Sequence, residues 1–292
     1  MKLSNQIGNT PLIRISEKIY AKAELFNPTG SIKDRPASYI INDAEKRKVI
    51  KPGDTIIEAT SGNMGISFAW LAAERGYNCK IVMPSNMSDE RKQMLRVFGA
   101  ELIEVEAGDF DGAIKLRDRL AEENGWFNCN QFHNKLNIKA HEETTAREII
   151  EQVSGRNIPF VSAFVSGTGT GGTLMGAGLK VKERFPIAKI IAVEPSESPV
   201  MSGGEPGLHG IQGIGDGSKF LVDLKRVDKI ITISTEEATE RAKRLAREHG
   251  IFVGISAGAN VLASEKWVED NDPDGIVITF LCDRGERYLS CI

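Results

Sequence analysis

PGDTIIEATSGNMGISFAWLAAERGYNCKIVM, residues 52 to 83, decides the fold class. TIIEA (Thr55 to Ala59) follows the Pro52-Gly53 turn and reads as a short buried strand. Ile66, Ala69, Trp70 and Ala73 then recur at i, i+3, i+4 and i+7, one apolar face of a helix that ends near Gly76. KIVM (Lys80 to Met83) is the next strand. Outward from this unit the alternation continues. A helix over Asp89 to Phe98 is closed by Gly99, a strand covers Glu101 to Glu106, a helix Phe110 to Asn124, and a short strand Trp126 and Phe127. Upstream, Ala37, Ile40, Ile41 and Ala44 mark a helix with Pro36 in its first turn, where a missing N–H costs little. The second half supplies strands at Phe160 to Val165, Ile190 to Val193, Lys229 to Ile233 and Ile276 to Phe280. Ser234 and Glu237 stand at capping-box spacing before a charged helix. Between Pro195 and Asp223 runs a long stretch dense in Gly and Ser, and loops of such length inside a domain are usually functional. Strands alternating with helices predict an α/β protein with parallel sheets.

The chain of 292 residues suggests about two domains. Apolar types make up 41% and charged types 26%, with a net charge of −3, which argues against a cationic surface for nucleic acid or anionic lipid. No apolar run reaches the roughly 18 residues of a membrane span, and MKLSNQIGNTPL lacks the apolar core of a signal peptide. The four cysteines, Cys79, Cys129, Cys282 and Cys291, are too few for a disulfide scaffold, and no two stand at CxxC spacing. The histidines form no ligand cluster, so no metal is expected. A cytoplasmic α/β enzyme is the leading class.

Three motifs carry chemistry. SGTGTGGT (Ser166 to Thr173) follows a strand and opens a helix, where backbone N–H groups gather phosphate. Its Gly167, Gly169 and Gly172 also satisfy GxGxxG, with Glu194 near the position of a ribose-binding acid, so a dinucleotide-dependent oxidoreductase stays open. The bland alternative is a Gly-rich turn that lets helix and strand pack closely. ATSGNMG (Ala59 to Gly65) sets Thr60, Ser61 and Asn63 at a helix start, either as ordinary caps or as a carboxylate or phosphate site. NPTGSIKDRPA (Asn27 to Ala37) places Lys33 just before a helix, either as a surface lysine or as an amine able to form a Schiff base.

IGNTPL (Ile7 to Leu12), NPTGSIKDR, TSGN, GTGGT (Gly169 to Thr173), HGIQGIG (His209 to Gly215), GISAGA (Gly254 to Ala259) and the CDRGERYLS tail occur in the order of one family. The sequence resembles the cysteine synthase and cystathionine β-synthase group of pyridoxal-phosphate enzymes, and looks most like the cysteine synthase B (O-acetylserine sulfhydrylase B) branch. The resemblance runs from about Ile7 to Ser290. It outweighs the dinucleotide reading, which leaves Lys33 and Asn63 without tasks.

The resemblance implies the tryptophan synthase β fold (fold type II): two three-layer α/β domains with mostly parallel twisted sheets and pyridoxal 5′-phosphate in the cleft between them. The small domain is expected over residues 27–134, with 1–26 and 135–292 forming the large one, and the protein is expected to be a homodimer. Lys33 would hold the cofactor as a Schiff base and remove the substrate α-proton. Asn63 would bond the ring 3′-oxygen, Gly169, Thr170, Gly171, Gly172 and Thr173 would cradle the phosphate, and Ser256 would face the pyridine nitrogen. Thr60, Ser61, Gly62 and Gln131 would hold the substrate carboxylate. The implied reaction is β-replacement through an aminoacrylate, O-acetyl-L-serine and sulfide giving L-cysteine and acetate. A neutral serine at the ring nitrogen favours β-elimination over transamination.

Departures bear on the substrate. Met64 stands where the family commonly has threonine, and a thioether cannot donate to a carboxylate. Ala257 replaces a common second serine in GISSGA. Asp216, in GIGDG where many sulfhydrylases carry alanine, reads either as a solvated turn aspartate or as a second base for an incoming thiol or water. The latter would favour cysteine or serine as donor. Cys282 reads as a buried small hydrophobe, Trp70 as core, and His133 either as a substrate contact or as a polar wall residue.

Overall fold

The computed structural model describes residues 2–156, 158 and 160–291. Among these residues ten strands run in chain order: β1 (Leu12–Arg14), β2 (Ile19–Ala23), β3 (Thr55–Ala59), β4 (Asn78–Pro84), β5 (Glu101–Val105), β6 (Phe127–Asn128), β7 (Val161–Gly167), β8 (Lys189–Pro195), β9 (Lys229–Ile233) and β10 (Ile276–Leu281). They form two sheets, one of six strands in the order β1-β2-β10-β7-β8-β9 and one of four in the order β5-β4-β3-β6. Every pairing is parallel except that of β1 with β2. The expected α/β class with mostly parallel sheets is what the chain adopts.

Burial explains the strand sequences. β10 (IVITFL) and most of β8 are buried, as near-continuous apolar strands covered on both faces should be. Helices Asn63–Arg75, Asp89–Val97 and Phe110–Asn124 pack on the four-stranded sheet, and Gly76 and Gly125 end the first and last of them in left-handed backbone. Trp70 is buried in the core of this sheet. Pairing in the strand after Asn124 starts one residue later than expected, at Phe127, and the Trp126 ring instead carries the Lys80 ammonium 5.0 Å from its centroid.

The N-terminal hairpin β1–β2 has no counterpart in the sequence reading. β1 has three residues, and β2 (IYAKA) holds a lysine that spoils the apolar pattern. That Lys22 is fully buried, 2.7 Å from Glu148, and burial pushes its pKa down against the pull of that carboxylate. Arg35 completes the cluster, 2.7 Å from both Glu24 and Glu148. Two guanidinium–carboxylate pairs thereby fasten the helix Asp34–Lys46, which follows Lys33, to the strand end and to helix Ala146–Ser154.

Helix Thr235–His249 starts with the expected capping box: Ser234 Oγ accepts the Glu237 N–H at 3.2 Å, and the Glu237 carboxylate accepts the Ser234 N–H at 2.9 Å. Ser234→Ala is expected to lower stability by about 1 kcal/mol. Urea unfolding at constant m-value checks it. The segment 196–223 contains neither helix nor strand, yet both ends are pinned: Ser196 N–H donates to Ile233 C=O at 3.0 Å at one, and Gly215 N–H to Thr168 C=O at 2.9 Å and Leu221 N–H to Thr170 C=O at 3.1 Å toward the other. Among the described residues, no helix is long and apolar enough to cross a membrane.

Candidate active site

The C-terminal ends of β3 and β7 feed loops into one cleft. Its walls carry Lys33, Thr60, Ser61, Asn63, Met64, Gln131, Gly169 to Thr173, Asp216 and Ser256, so residues from six separate stretches of chain converge. Gly62 stands apart from this wall. Its N–H donates to Thr60 Oγ1 at 3.0 Å, its φ is +140°, and a side chain there would run into Arg91. Thr60 therefore shapes the turn as well as facing the cleft.

Lys33 sits at the N-cap of helix Asp34–Lys46, its N–H bonded to Ser31 Oγ at 3.1 Å. Burial pushes its ammonium pKa down, while Cys282, Asp216 and Asp283 pull it back up. The net lowering enlarges the neutral amine fraction, which is the nucleophilic form.

The Gly-rich loop presents backbone N–H groups at a helix start. Gly171 has φ +86°, and the helical ladder begins with Met175 N–H to Gly171 C=O, leaving the N–H groups before it at a helix start. A Cβ on Gly169 would stand 2.5 Å from the Gly213 carbonyl oxygen, and one on Gly172 would collide with Asn137. Asn137 Nδ2 donates to Thr170 Oγ1 (2.9 Å) and to Gln131 C=O (3.1 Å), while its buried Oδ1 has no partner among the described residues. Behind the loop, His141 Nε2 lies 3.4 Å from Thr173 Oγ1, and burial drives its pKa well down, so the imidazole is neutral. Gly169→Ala is expected to cost about 1–3 kcal/mol of loop geometry, weakening cofactor binding about ten- to hundredfold. Titration of the apoprotein with pyridoxal phosphate, followed by absorbance, measures this.

Glu58 supports the opposite wall. Its carboxylate accepts Gln131 N–H and Arg117 Nη1, both at 2.9 Å, and Ala59 N–H at 2.8 Å. Gln131 Nε2 in turn donates to Ala59 C=O at 2.9 Å. Ser256 is buried at the start of helix Ile255–Asn271 and lines the cleft with Cys282. Cys282 packs against the hydrophobic core and also lines the cleft, and burial pushes its thiol up to about 12, so it is no nucleophile. His133 is exposed, its ring edge-on to Phe220, and does not line the cleft. The dinucleotide reading fails on Glu194. That buried carboxylate is consumed by Met201 N–H (2.8 Å), Ser202 N–H (3.0 Å) and Ser202 Oγ (2.5 Å), leaving it no role with a ribose.

Asp216 is half-buried, not a solvated turn residue. It lines both the cleft and an outer chamber of about 330 Å³, a throat shared with Ser61, Gln212 and Gly213. Burial pushes its carboxyl pKa up, against His209, Lys33 and Arg91.

Asn63, Asp283, Arg287 and Tyr288 form a network that motif reading missed. Asn63 Nδ2 donates to Asp283 Oδ2 at 2.6 Å, Arg287 Nη1 donates to Asn63 Oδ1 at 2.5 Å, and Tyr288 OH donates to Asp283 Oδ2 at 2.6 Å. Arg91 joins the rim by bonding Ser61 C=O, Gln212 and Tyr288 OH. The available signal was the charge density of CDRGERYLS directly after a buried strand.

An amine of lowered pKa, a glycine cradle that admits only backbone, and a neutral hydroxyl at a helix start fit pyridoxal phosphate. The family described as pyridoxal-phosphate dependent enzyme matches residues 3–283, and the chain belongs to it. A cysteine synthase of Staphylococcus aureus (strain Mu50) is 42% identical, over 97% of this chain and 94% of that protein. O-Ureido-L-serine synthase superposes with a TM-score of 0.93 at 39% identity, covering 100% of this chain and 94% of the other. A hydrogen sulfide-producing enzyme from Fusobacterium nucleatum gives 0.93 at 38%, over 99% and 90%. The protein is a pyridoxal-phosphate-dependent enzyme related to the cysteine synthases.

Proposed function

We propose that the protein makes L-cysteine and acetate from O-acetyl-L-serine and sulfide. The reading is carried by the meeting of Lys33, the helix start at Thr60 to Asn63 and the Gly169–Thr173 cradle in one cleft, and is supported by the cysteine synthase relative. Pyridoxal phosphate, when bound, supplies the electron sink that acidifies the substrate Cα–H. Lys33 Nζ links the cofactor covalently and afterwards takes the proton from Cα. Gly169 to Thr173 hold the phosphate by backbone N–H groups, Asn63 meets the ring oxygen, and Ser256 offers its hydroxyl to the pyridine nitrogen. Ser61, Thr60 and Gln131 grip the substrate carboxylate, with Gly62 setting the turn and Met64 filling the wall behind it.

Residues 27–134 act as the small domain, which closes over the larger one formed by 1–26 and 135–292 and excludes water. The working assembly is a homodimer in the cytoplasm.

Asp216 favours a second reading. A carboxylate at the throat, with its pKa raised by burial, is placed to take a proton from an entering thiol or water, which suits L-cysteine or L-serine as donor. Visible absorption of the purified protein separates the two. A band that changes on adding O-acetyl-L-serine and recovers with sulfide supports the first reading. A band indifferent to O-acetyl-L-serine but altered by L-cysteine overturns it in favour of the second.

A further inference from the structure

We propose that Arg287 is a positioning residue that decides which end of the Asn63 side-chain amide faces the cofactor. A primary amide has two nearly isosteric ends, one donor and one acceptor, and nothing in its own shape chooses between them. Here the choice is forced from the far side. Arg287 can only donate, and its Nη1 stands 2.5 Å from Asn63 Oδ1. The Asp283 carboxylate accepts, and its Oδ2 stands 2.6 Å from Asn63 Nδ2. The opposite orientation would set donor against donor and acceptor against acceptor. The second hydrogen on Nδ2 is thereby left for the cleft that Asn63 lines.

The clamp is itself held. The other Arg287 nitrogen donates to Thr29 C=O. Thr29 is fixed by Asp34, which accepts its N–H at 2.7 Å and its hydroxyl at 2.5 Å, and also accepts Ser67 Oγ at 2.6 Å. Asp283 is held by Tyr288 OH at 2.6 Å. All of these residues are buried, so water is a poor substitute for any lost partner. The tail after β10 thus reaches across to the first turn of helix Asn63–Arg75 and orients one amide there.

The proposal rests on Asn63 meeting the cofactor ring oxygen. Without Arg287 the Oδ1 end loses its donor and only Asp283 still orders the amide, the N–H presented to that oxygen is no longer held in place, and the oxygen takes up a proton instead. Visible absorbance of the bound cofactor is expected to give way to near-ultraviolet absorbance in Arg287→Gln, with cofactor affinity about tenfold weaker. Asn63→Ala is expected to show a comparable shift, and the double variant no more than Asn63→Ala alone. Arg287→Lys keeps the buried charge with fewer donors, protects the fold should Arg287→Gln fail to form, and is run through the same cycle. Its smaller shift is expected to vanish in the Asn63→Ala background. A parental spectrum in the Arg287 variants beside a shifted Asn63→Ala overturns the proposal, as do shifts that add in the double variant. A parental spectrum in Asn63→Ala overturns the ring-oxygen reading of Asn63 and the proposal with it, an outcome distinct from the other two.

Discussion

Lys33→Ala is expected to bind pyridoxal phosphate only noncovalently and to lose at least about 10²–10⁴-fold in turnover, the usual contribution of one acid–base group, with loss of the covalent link adding to it. The fold should survive. Lys33 is half-buried at a helix N-cap without a side-chain capping bond, and the neighbouring Arg35, not Lys33, makes the buried ion pairs with Glu24 and Glu148. Borohydride reduction followed by mass spectrometry reads the link directly: the parent retains the cofactor mass on the peptide containing Lys33, and the variant does not. A variant that still carries reducible cofactor on another lysine would displace Lys33 from its role.

Asp216→Asn is expected to leave release of the donor's β-substituent in the first turnover unchanged while slowing capture of the nucleophile by about 10²–10⁴-fold. Rapid quench separates these two steps. The pH dependence gives the sign independently. Burial raises the Asp216 pKa, so its carboxyl stays protonated to higher pH than a free aspartate, and the ionised base accumulates only as pH climbs through that raised value. Capture by the parent should therefore rise with pH above the ordinary carboxylate range, and Asp216→Asn should lose that rising limb. Equal capture in both proteins would return Asp216 to the status of a throat-lining residue.

What the sequence makes legible follows the range of the interactions. Helix Phe110–Asn124 and strands Thr55–Ala59 and Lys229–Ile233 follow local periodicity and nearby turn signals, and their bounds agree with the reading. The strands reading as Phe160–Val165 and Ile190–Val193 extend to Val161–Gly167 and Lys189–Pro195, because neighbouring strands continue to offer partners beyond the apolar run. β2 was hidden because Lys22 is balanced by Glu148, far away in the chain. Likewise Lys33, Asn63 and the GTGGT loop stand in motifs, whereas Asn137, His141 and Arg91 act through partners that no spacing announces, and Arg287 stands in the CDRGERYLS motif without its partner Asn63 being legible there. Glu194 misled for a related reason. Its distance from the glycines suits a ribose, but the two N–H groups of Met201 and Ser202 already occupy it.

The order of strands in space has a consequence for how the chain leaves the ribosome. Among the described strands β10 comes latest in the chain, yet it lies between β2 and β7 and there joins the N-terminal hairpin to the rest of its sheet. A nascent chain arrested before Ile276 can assemble β7, β8 and β9, but β1 and β2 have no edge on which to add. Asp283 and Arg287, which hold Asn63, emerge later still. An oriented Asn63 therefore waits for residues synthesised 220 and 224 positions after it.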